Sequence, residues 1–485
     1  KNSADYAYAF GVNEFVLCAS AYQPWIDKYP GSTAGGKHYC LNRNNTYWEY
    51  SRPFWDYQAR CSALMRKGVP VVDICVYLGQ NPPVKLVTYR LPEIPEGYDF
   101  DVCTAEALVG RTMAVDGRLT LPTGISYSLL VIQRNNDMPL HVLRHIAGLV
   151  KGGVIVCGPR PDGSDSLKDK AESEEYRALV DELWGELTTV SQIRKVGKGK
   201  IYENIPLSEV LKYENIRPDI AIKSGNTAKD KVYFVHRRLS DADVYFLNNH
   251  SDRAFHDTVR LRTDARQAEY WDAVTGQRYM IPVKASGEKG MLLNLTLAPR
   301  ESGFIVTSNN QATGLLPIIA DVQETITPIE GSWNVYFDPR WGGPGKVVFD
   351  ELIDWTVHAD TGIRYYSGTA VYHKELNLAI PAQNERLLLR FPRLGSLARV
   401  WVNGKEVVTV WCSPWEADIT SYVHEGKNNL KIEVVNSLMN RMIGDASLPE
   451  SERFTYAYPQ IATPTDKLVP SGIMEQLNLV YRQCQ

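Results

Sequence analysis

The chain reads as a multidomain protein, α/β in its first part and all-β in the rest. Three features predict this. Residues 71–78 are apolar or aromatic at seven of eight positions and end in Gly79-Gln80-Asn81-Pro82-Pro83. So continuous a run suits a strand buried on both faces of a parallel sheet, and a glycine followed by two prolines stops it abruptly. Next, residues 127–158 run strand, helix, strand in close order, the pattern of a parallel α/β unit. Finally, from residue 211 onward short strand-like runs are separated by turn signals, including the hairpin dipeptide Asn403-Gly404.

The bulk numbers narrow the options. At 485 residues the chain exceeds a single core, and three or four domains are expected. The net charge is −3, with no long run of one sign, so neither nucleic acid nor a membrane surface is indicated as partner. No apolar run reaches membrane-spanning length. The sequence shows no signal peptide and opens on Lys1 rather than Met, which leads us to expect a processed or truncated product. Eleven Trp and 27 Tyr are compatible with sugar binding, since aromatic faces pack on the C–H faces of sugars; they fit the buried aromatics of a large β-rich protein equally. The eight cysteines form no Cys-x-x-Cys pair and no metal-spaced cluster with histidine, so buried free thiols are expected.

Taken in order, residues 1–90 alternate helix and strand signals: a helix end at 5–10, a buried strand at 14–19, a long polar loop, a helix at 51–67 and the strand at 71–78. Two βα units of a (β/α)8-type barrel account for this, though too few to close one. Residues 91–210 form a flavodoxin-like α/β domain, with strands at 127–132, 154–158 and 195–202 and helices at 139–151 and 173–184. Gly152-Gly153 before a strand is a helix stop rather than a phosphate loop. Residues 211–318 form a β-sandwich and residues 319–485 a jelly roll.

Particular residues also resemble a known family. Gly11-Val12-Asn13, Gln23-Pro24-Trp25, Arg43-Asn44-Asn45-Thr46-Tyr47-Trp48, Gly97-Tyr98-Asp99-Phe100-Asp101 and Asp116-Gly117-Arg118-Leu119 resemble the second half of the catalytic barrel of glycoside hydrolase family 106, the inverting α-L-rhamnosidases. His236-Arg237-Arg238, Trp271-Asp272 and Thr275-Gly276 are similar to that family's next β-domain. Tyr366-Ser367-Gly368-Thr369-Ala370, Val402-Asn403-Gly404 and Asn440-Arg441-Met442-Ile443-Gly444-Asp445 resemble a terminal galactose-binding-like jelly roll. The resemblance covers essentially the whole chain and identifies it as the C-terminal half of such an enzyme. It implies hydrolysis of terminal rhamnosyl linkages in a rhamnose-containing polysaccharide with inversion, a bacterial secreted or periplasmic location, and a missing N-terminal half carrying at least one catalytic carboxylate. Without that half the chain is expected to be inactive. A degenerate, non-catalytic carbohydrate-binding protein is the alternative.

Inverting glycosidases need two carboxyl groups, one acid and one base. Where the family resemblance leads us to expect Glu, this chain has Gln80, and where it leads us to expect His, it has Cys18. An amide can hold a hydroxyl or a water but cannot move its proton. Gln80, at a strand's C-terminal end, is therefore the catalytic-position candidate, contacting substrate, holding its loop, or marking a lost glutamate. Cys18, Gln23, Trp25, Asn44 and Trp48 are candidates for substrate contact, the last four lying in the long loop after residue 19. Trp411, Asn436, Arg441 and Asp445 could form a second sugar site, or simply pack the domain. Glu14 and Asp73 sit early in their strands, Asp99 and Asp101 suit turn capping, and His236 reads as structural. No cofactor is required. Calcium could be held by the acidic loops of the last domain, although no EF-hand spacing occurs.

Overall fold

The computed structural model describes residues 1–17, 21–33, 41–79, 92–133, 138–161, 163, 170–186, 190–225, 231–287, 289–310, 316–317 and 323–483. Two helices, Asn2–Ala9 and Arg52–Met65, belong to its first part. Pro53 sits in the first turn of the second helix, where a missing N–H is no loss. Both helices lie on a sheet of the all-β region, with Tyr8, Tyr57, Cys61 and Met65 packed against Val235, Phe246 and Phe304. Between the helices the expected buried strand at 14–19 is corrected. Residues 12–17 form no strand, and Val16 is 96% exposed. An apolar run is buried as a strand only where another strand pairs with it, and among the described residues none does.

The chain then crosses between two sheets. At Gly68, φ is +62°, and a Cβ there would lie 2.1 Å from the Arg238 carbonyl oxygen, so only glycine fits. Val69–Pro70 pairs antiparallel with Arg237 and Arg238 at the edge of a seven-stranded sheet. Ile74–Tyr77 enters a different, six-stranded sheet, between Phe100–Cys103 and Leu129–Ile132 and parallel to both. Ile155–Cys157 and Gly199–Glu203 extend it in parallel, and Gln192–Val196 closes the edge antiparallel. Ile74, Val76 and Tyr77 are completely buried, as the apolar run predicts.

The barrel assignment for residues 1–90 is thereby corrected. Among the described residues of that stretch no strand belongs to a barrel, and the strand expected in it is internal to an open parallel sheet. A continuous apolar run reports burial on both faces, which barrel and open sheet share, so it cannot tell them apart. The boundary at residue 90 cuts through this sheet. The single strand expected at 195–202 is a hairpin that turns at Gly197-Lys198. Leu140–Lys151 covers the sheet with a stripe of Val142, Leu143, Ile146 and Val150.

Two further pairs of sheets follow. The seven-stranded sheet faces a four-stranded one across Tyr245, Leu247, Leu261, Leu293 and Ile305. In the last region a six-stranded and a four-stranded sheet enclose Trp333, Phe337, Trp355, Tyr372 and Leu389. Trp333–Phe337 alternates buried and exposed residue by residue, the period of a strand with one wet face. Asn403 and Gly404 have φ values of 51° and 81°, the pair of positive angles that a two-residue hairpin favours.

The parallel sheet and the seven-stranded sheet meet at a buried chain of charges. Arg262 donates to Asp73 at 2.7 Å and to Asp219 at 3.2 Å. Asp219 faces His236 Nδ1 at 2.9 Å, and Asp243 faces Nε2 at 3.0 Å. Carboxylates on both ring nitrogens require N–H at both, hence an imidazolium. Burial alone would lower the His236 pKa, but Asp219 and Asp243 more than offset it and raise it. Burial would likewise raise Asp243, yet bonds from His236, Thr263 and Arg238 hold it at about 2. The Tyr245 ring stacks on the imidazole at 4.0 Å.

Two outcomes follow. Replacing Arg262 with Leu strands Asp73 without its cation and leaves Asp219 only His236, and should cost about 3–5 kcal/mol, read from chemical denaturation. His236, raised above its ordinary 6.5, stabilises fully below pH 6.5 and less as pH climbs through its folded value. The stability gap between the wild type and His236→Gln should therefore narrow from pH 6 to pH 9, and a gap that widens would be incompatible with a buried imidazolium.

Candidate functional site

Gln80 and Cys18 lie outside the described residues. The strand leading to Gln80 ends at Leu78, whose N–H reaches the Cys103 carbonyl at 3.0 Å, and at Gly79, with φ +77°. This is the C-terminal edge of the parallel sheet, where open α/β folds bind ligands. The buried carboxylate on this side, Glu203, is taken by the Arg160 backbone N–H at 3.1 Å and the Gln192 amide at 2.5 Å. Asp73 and Asp99 sit at the opposite, N-terminal edge. Burial, together with Asp101, Asp219 and Asp73, pushes Asp99 up to about 7 against the pull of the Phe100 N–H. Asp101 accepts from Tyr127 at 2.9 Å, and exposed Glu14 pairs with Arg66 at 3.3 Å.

Gln23, Trp25 and Asn44 do come together, but mostly to build their own loop. The Gln23 amide donates to the Ser32 carbonyl at 2.7 Å and accepts from its N–H at 2.8 Å. Asn44, fully buried, donates to the Lys28 carbonyl at 2.9 Å. Gly31, with φ +74°, lets the two approach, for a Cβ there would stand 2.3 Å from Gln23 Oε1. The finished loop docks on the last domain. Pro30–Ser32 pairs in parallel with Tyr456–Tyr458. The half-buried Trp25 ring meets Tyr456 edge-on at 5.0 Å, with the Lys28 ammonium 4.1 Å above Tyr456. Tyr22 and Ile26 remain 84% and 79% exposed, and Trp48 is partly exposed on the next stretch.

The four residues expected as a second sugar site do not form one. Asn436 is buried, donating to the Tyr366 carbonyl and Ser471 Oγ, each at 2.9 Å. Asp445 is buried and accepts from the Thr455 N–H and hydroxyl. Arg441 pairs with it at 3.1 Å, and burial lowers the guanidinium pKa despite that partner. Trp411 lies elsewhere, against Phe54 and Tyr57 of the helix Arg52–Met65. These polar types are what surface loops and buried caps share, so sequence alone could not separate them. Among the described residues no group of three or more His, Cys, Asp or Glu is placed to hold a metal.

Other features were not anticipated. Trp411 also borders a 1240 Å³ groove between the two all-β regions, together with Trp415, Tyr270, Asp272, Arg390 and Glu416. Arg390 and Arg482 each bridge Glu324 and Glu416 on one wall. A 510 Å³ depression lies on the outer face of the last six-stranded sheet, beside Trp401 and Lys431. The outward positions of Leu397–Val402 carry Arg399 and Trp401.

Comparison with known proteins assigns the chain. Residues 1–284 match the model of glycoside hydrolase family 106, alpha-L-rhamnosidase. The chain belongs to this family. Residues 320–481 match the sugar binding domain of glycosyl hydrolases family 2. The placement as a C-terminal half needs correcting in one respect, since the family-106 match falls on the N-terminal part of the chain and stops at residue 284. The structure is similar to a rhamnosidase from Novosphingobium sp. PP1Y, with a TM-score of 0.89 and 28% identity, over 99% of this chain and 45% of that one. A protein of Formosa agariphila provisionally named a beta-glucuronidase is 23% identical over 93% of this chain and 56% of its own length. The chain thus spans about half the length of these relatives.

Gly31→Ala should push Gln23 off Ser32 and release the loop, making residues 21–33 a site of rapid limited proteolysis while the melting temperature of the rest changes little. Asp445→Ala leaves a buried guanidinium uncompensated and should cost about 3–5 kcal/mol in chemical denaturation. A loss well below 1 kcal/mol would mean that Arg441 reaches solvent.

Proposed function

We propose that this chain is part of the catalytic unit of an α-L-rhamnosidase that removes terminal rhamnosyl groups from a polysaccharide with inversion. The observation that carries this reading is the family-106 match over residues 1–284. The likeness to a solved rhamnosidase over nearly the whole chain supports it. On this reading the catalytic carboxyl pair is completed by sequence beyond these 485 residues. Two things support that: both relatives are about twice as long, and Val16, Leu17, Tyr22 and Ile26 stand exposed near the start of the chain, apolar surface of the kind an adjoining domain covers.

Within this unit Gln80 contacts substrate through its amide rather than moving a proton, with Cys18 lining the same pocket and Trp25 and Trp48 facing the sugar from the loop. The jelly roll remains our reading of the last region, and the protein works outside the cytoplasm, secreted or periplasmic.

The test is hydrolysis of an aryl α-L-rhamnoside, with the anomer of the released sugar read by NMR. The 485 residues alone should show no turnover, and a longer protein with the flanking sequence should release the inverted anomer. In that longer protein Gln80→Ala should lower kcat/KM about tenfold, the worth of one hydrogen bond to substrate. Turnover by the 485 residues alone would sink the shared-site reading, and an inert longer protein would favour a non-catalytic relative.

A further inference from the structure

Two thiols meet inside the parallel sheet. Cys75 lies in the strand Ile74–Tyr77, and Cys103 ends Phe100–Cys103, its neighbour at the edge of the sheet. The ladder pairs Cys75 with Asp101 and Tyr77 with Cys103. Alternate residues of a strand share a face, so Cys103 stands on the same side as Cys75. Both pack into the apolar core beneath the helix Leu140–Lys151. The Cys75 thiol donates to Cys103 Sγ at 3.4 Å. Both cysteines are free thiols in this structure.

Two sulfurs are too few for a metal, and among the described residues no third ligand joins them. Thiols in contact are instead one step from a covalent bond. Disulfide sulfurs stand about 2.05 Å apart, so about 1.4 Å has to be closed. Phe100–Cys103 can supply that movement because it is an edge strand, bonded on one flank only. The two thiols are not equivalent. Cys75 is 2% exposed, whereas Cys103 is partly open to solvent. The bond to Cys103, and then burial, raise the Cys75 pKa and hold its proton. Cys103 accepts that hydrogen bond and is the sulfur that a reagent reaches first.

We propose that Cys75 and Cys103 form a reversible disulfide, made by exchange with an external disulfide and undone by a dithiol. The Cys103 thiolate attacks one sulfur of the external disulfide, whose S–S bond breaks; a mixed disulfide forms and a first thiolate leaves. Cys75 then gives its proton to that thiolate and attacks Cys103 Sγ, expelling a second thiolate, which takes up the proton that Cys103 lost to water. The pair has given up two electrons and two protons, and the external disulfide has gained both and become two thiols. The new bond fastens the edge strand to the strand that leads into Gly79 and Gln80, where the Leu78 N–H already meets the Cys103 carbonyl. The pair and its chemistry stand whether or not the protein cleaves rhamnosides.

Peptide mapping tests this. The folded 485-residue chain is incubated with oxidised glutathione, its remaining thiols are blocked in acidic denaturant, and it is digested with trypsin. Residues 68–85 and 91–111 each hold one cysteine. They should appear as one linked species, lighter than their sum by two hydrogens and split by dithiothreitol. Cys75→Ser should stop at a glutathione adduct on Cys103. Cys103→Ser, at a partly exposed position that tolerates the change, should leave Cys75 unreacted until it is blocked in denaturant. A wild type that keeps glutathione on Cys103 without linking, or whose two thiols both survive to be blocked, overturns the proposal. So does a link that forms only in urea-unfolded chain, since it then owes nothing to the folded contact.

Discussion

Arg262 is the cation on which the middle of the molecule depends. It stands between Asp73, just before a strand of the parallel sheet, and Asp219, which passes the contact on to His236 in the seven-stranded sheet. Both carboxylates are almost fully buried. A buried carboxylate without a partner is costly. The geometry therefore couples two domains through one guanidinium: Arg262, just past a strand of the four-stranded sheet, neutralises Asp73 of the parallel-sheet domain and Asp219, which in turn meets His236. The backbone supports this, since Asp219 N–H bonds the Gly97 carbonyl at 2.7 Å and Val71 N–H bonds that of His236 at 3.0 Å. The relative position of the parallel sheet is thus set by polar contacts of fixed length rather than by apolar packing, which tolerates sliding.

A second theme is how the N-terminal stretch is distributed. Its helices sit on the seven-stranded sheet, its loop is paired to Tyr456–Tyr458, and Trp48–Tyr50 lies on the last six-stranded sheet. It works less as a domain than as a strap across the others. This explains why side chains chosen as sugar contacts, Gln23 and Asn44, turn out to hold backbone together. A strap needs internal hydrogen bonds because it has no core of its own.

The periodic elements were legible in the sequence. Trp333–Phe337 and the helix Leu140–Lys151 follow from spacing alone, and the Asn403-Gly404 hairpin from turn chemistry. What failed was non-local. The apolar strand Ile74–Tyr77 was recognised as buried, but which strands flank it depends on residues 100 and 129, far along the chain. Residues 14–17 had strand-like content and, among the described residues, no strand to pair with. The site was less legible still. Asn436, Arg441 and Asp445 are residue types that serve sugars and buried frames equally, and only their burial separates the two. The contact of Cys75 with Cys103 exists only through strand register. The family resemblance was readable because it rests on order and type of residue rather than on contacts, and the likeness to a solved rhamnosidase likewise runs over 99% of the chain.

The pairing of Pro30–Ser32 with Tyr456–Tyr458 carries a consequence for biosynthesis. These strands leave the ribosome more than four hundred residues apart, which at ordinary elongation rates of about 5–20 residues per second is on the order of tens of seconds. Throughout that interval the loop has its own clamp but no surface to lie on, with Trp25 and Tyr29 uncovered. A chaperone that shelters nascent apolar segments would find its target here, and a ribosome stalled before residue 456 would leave a chain whose first loop stays undocked however well its middle has folded.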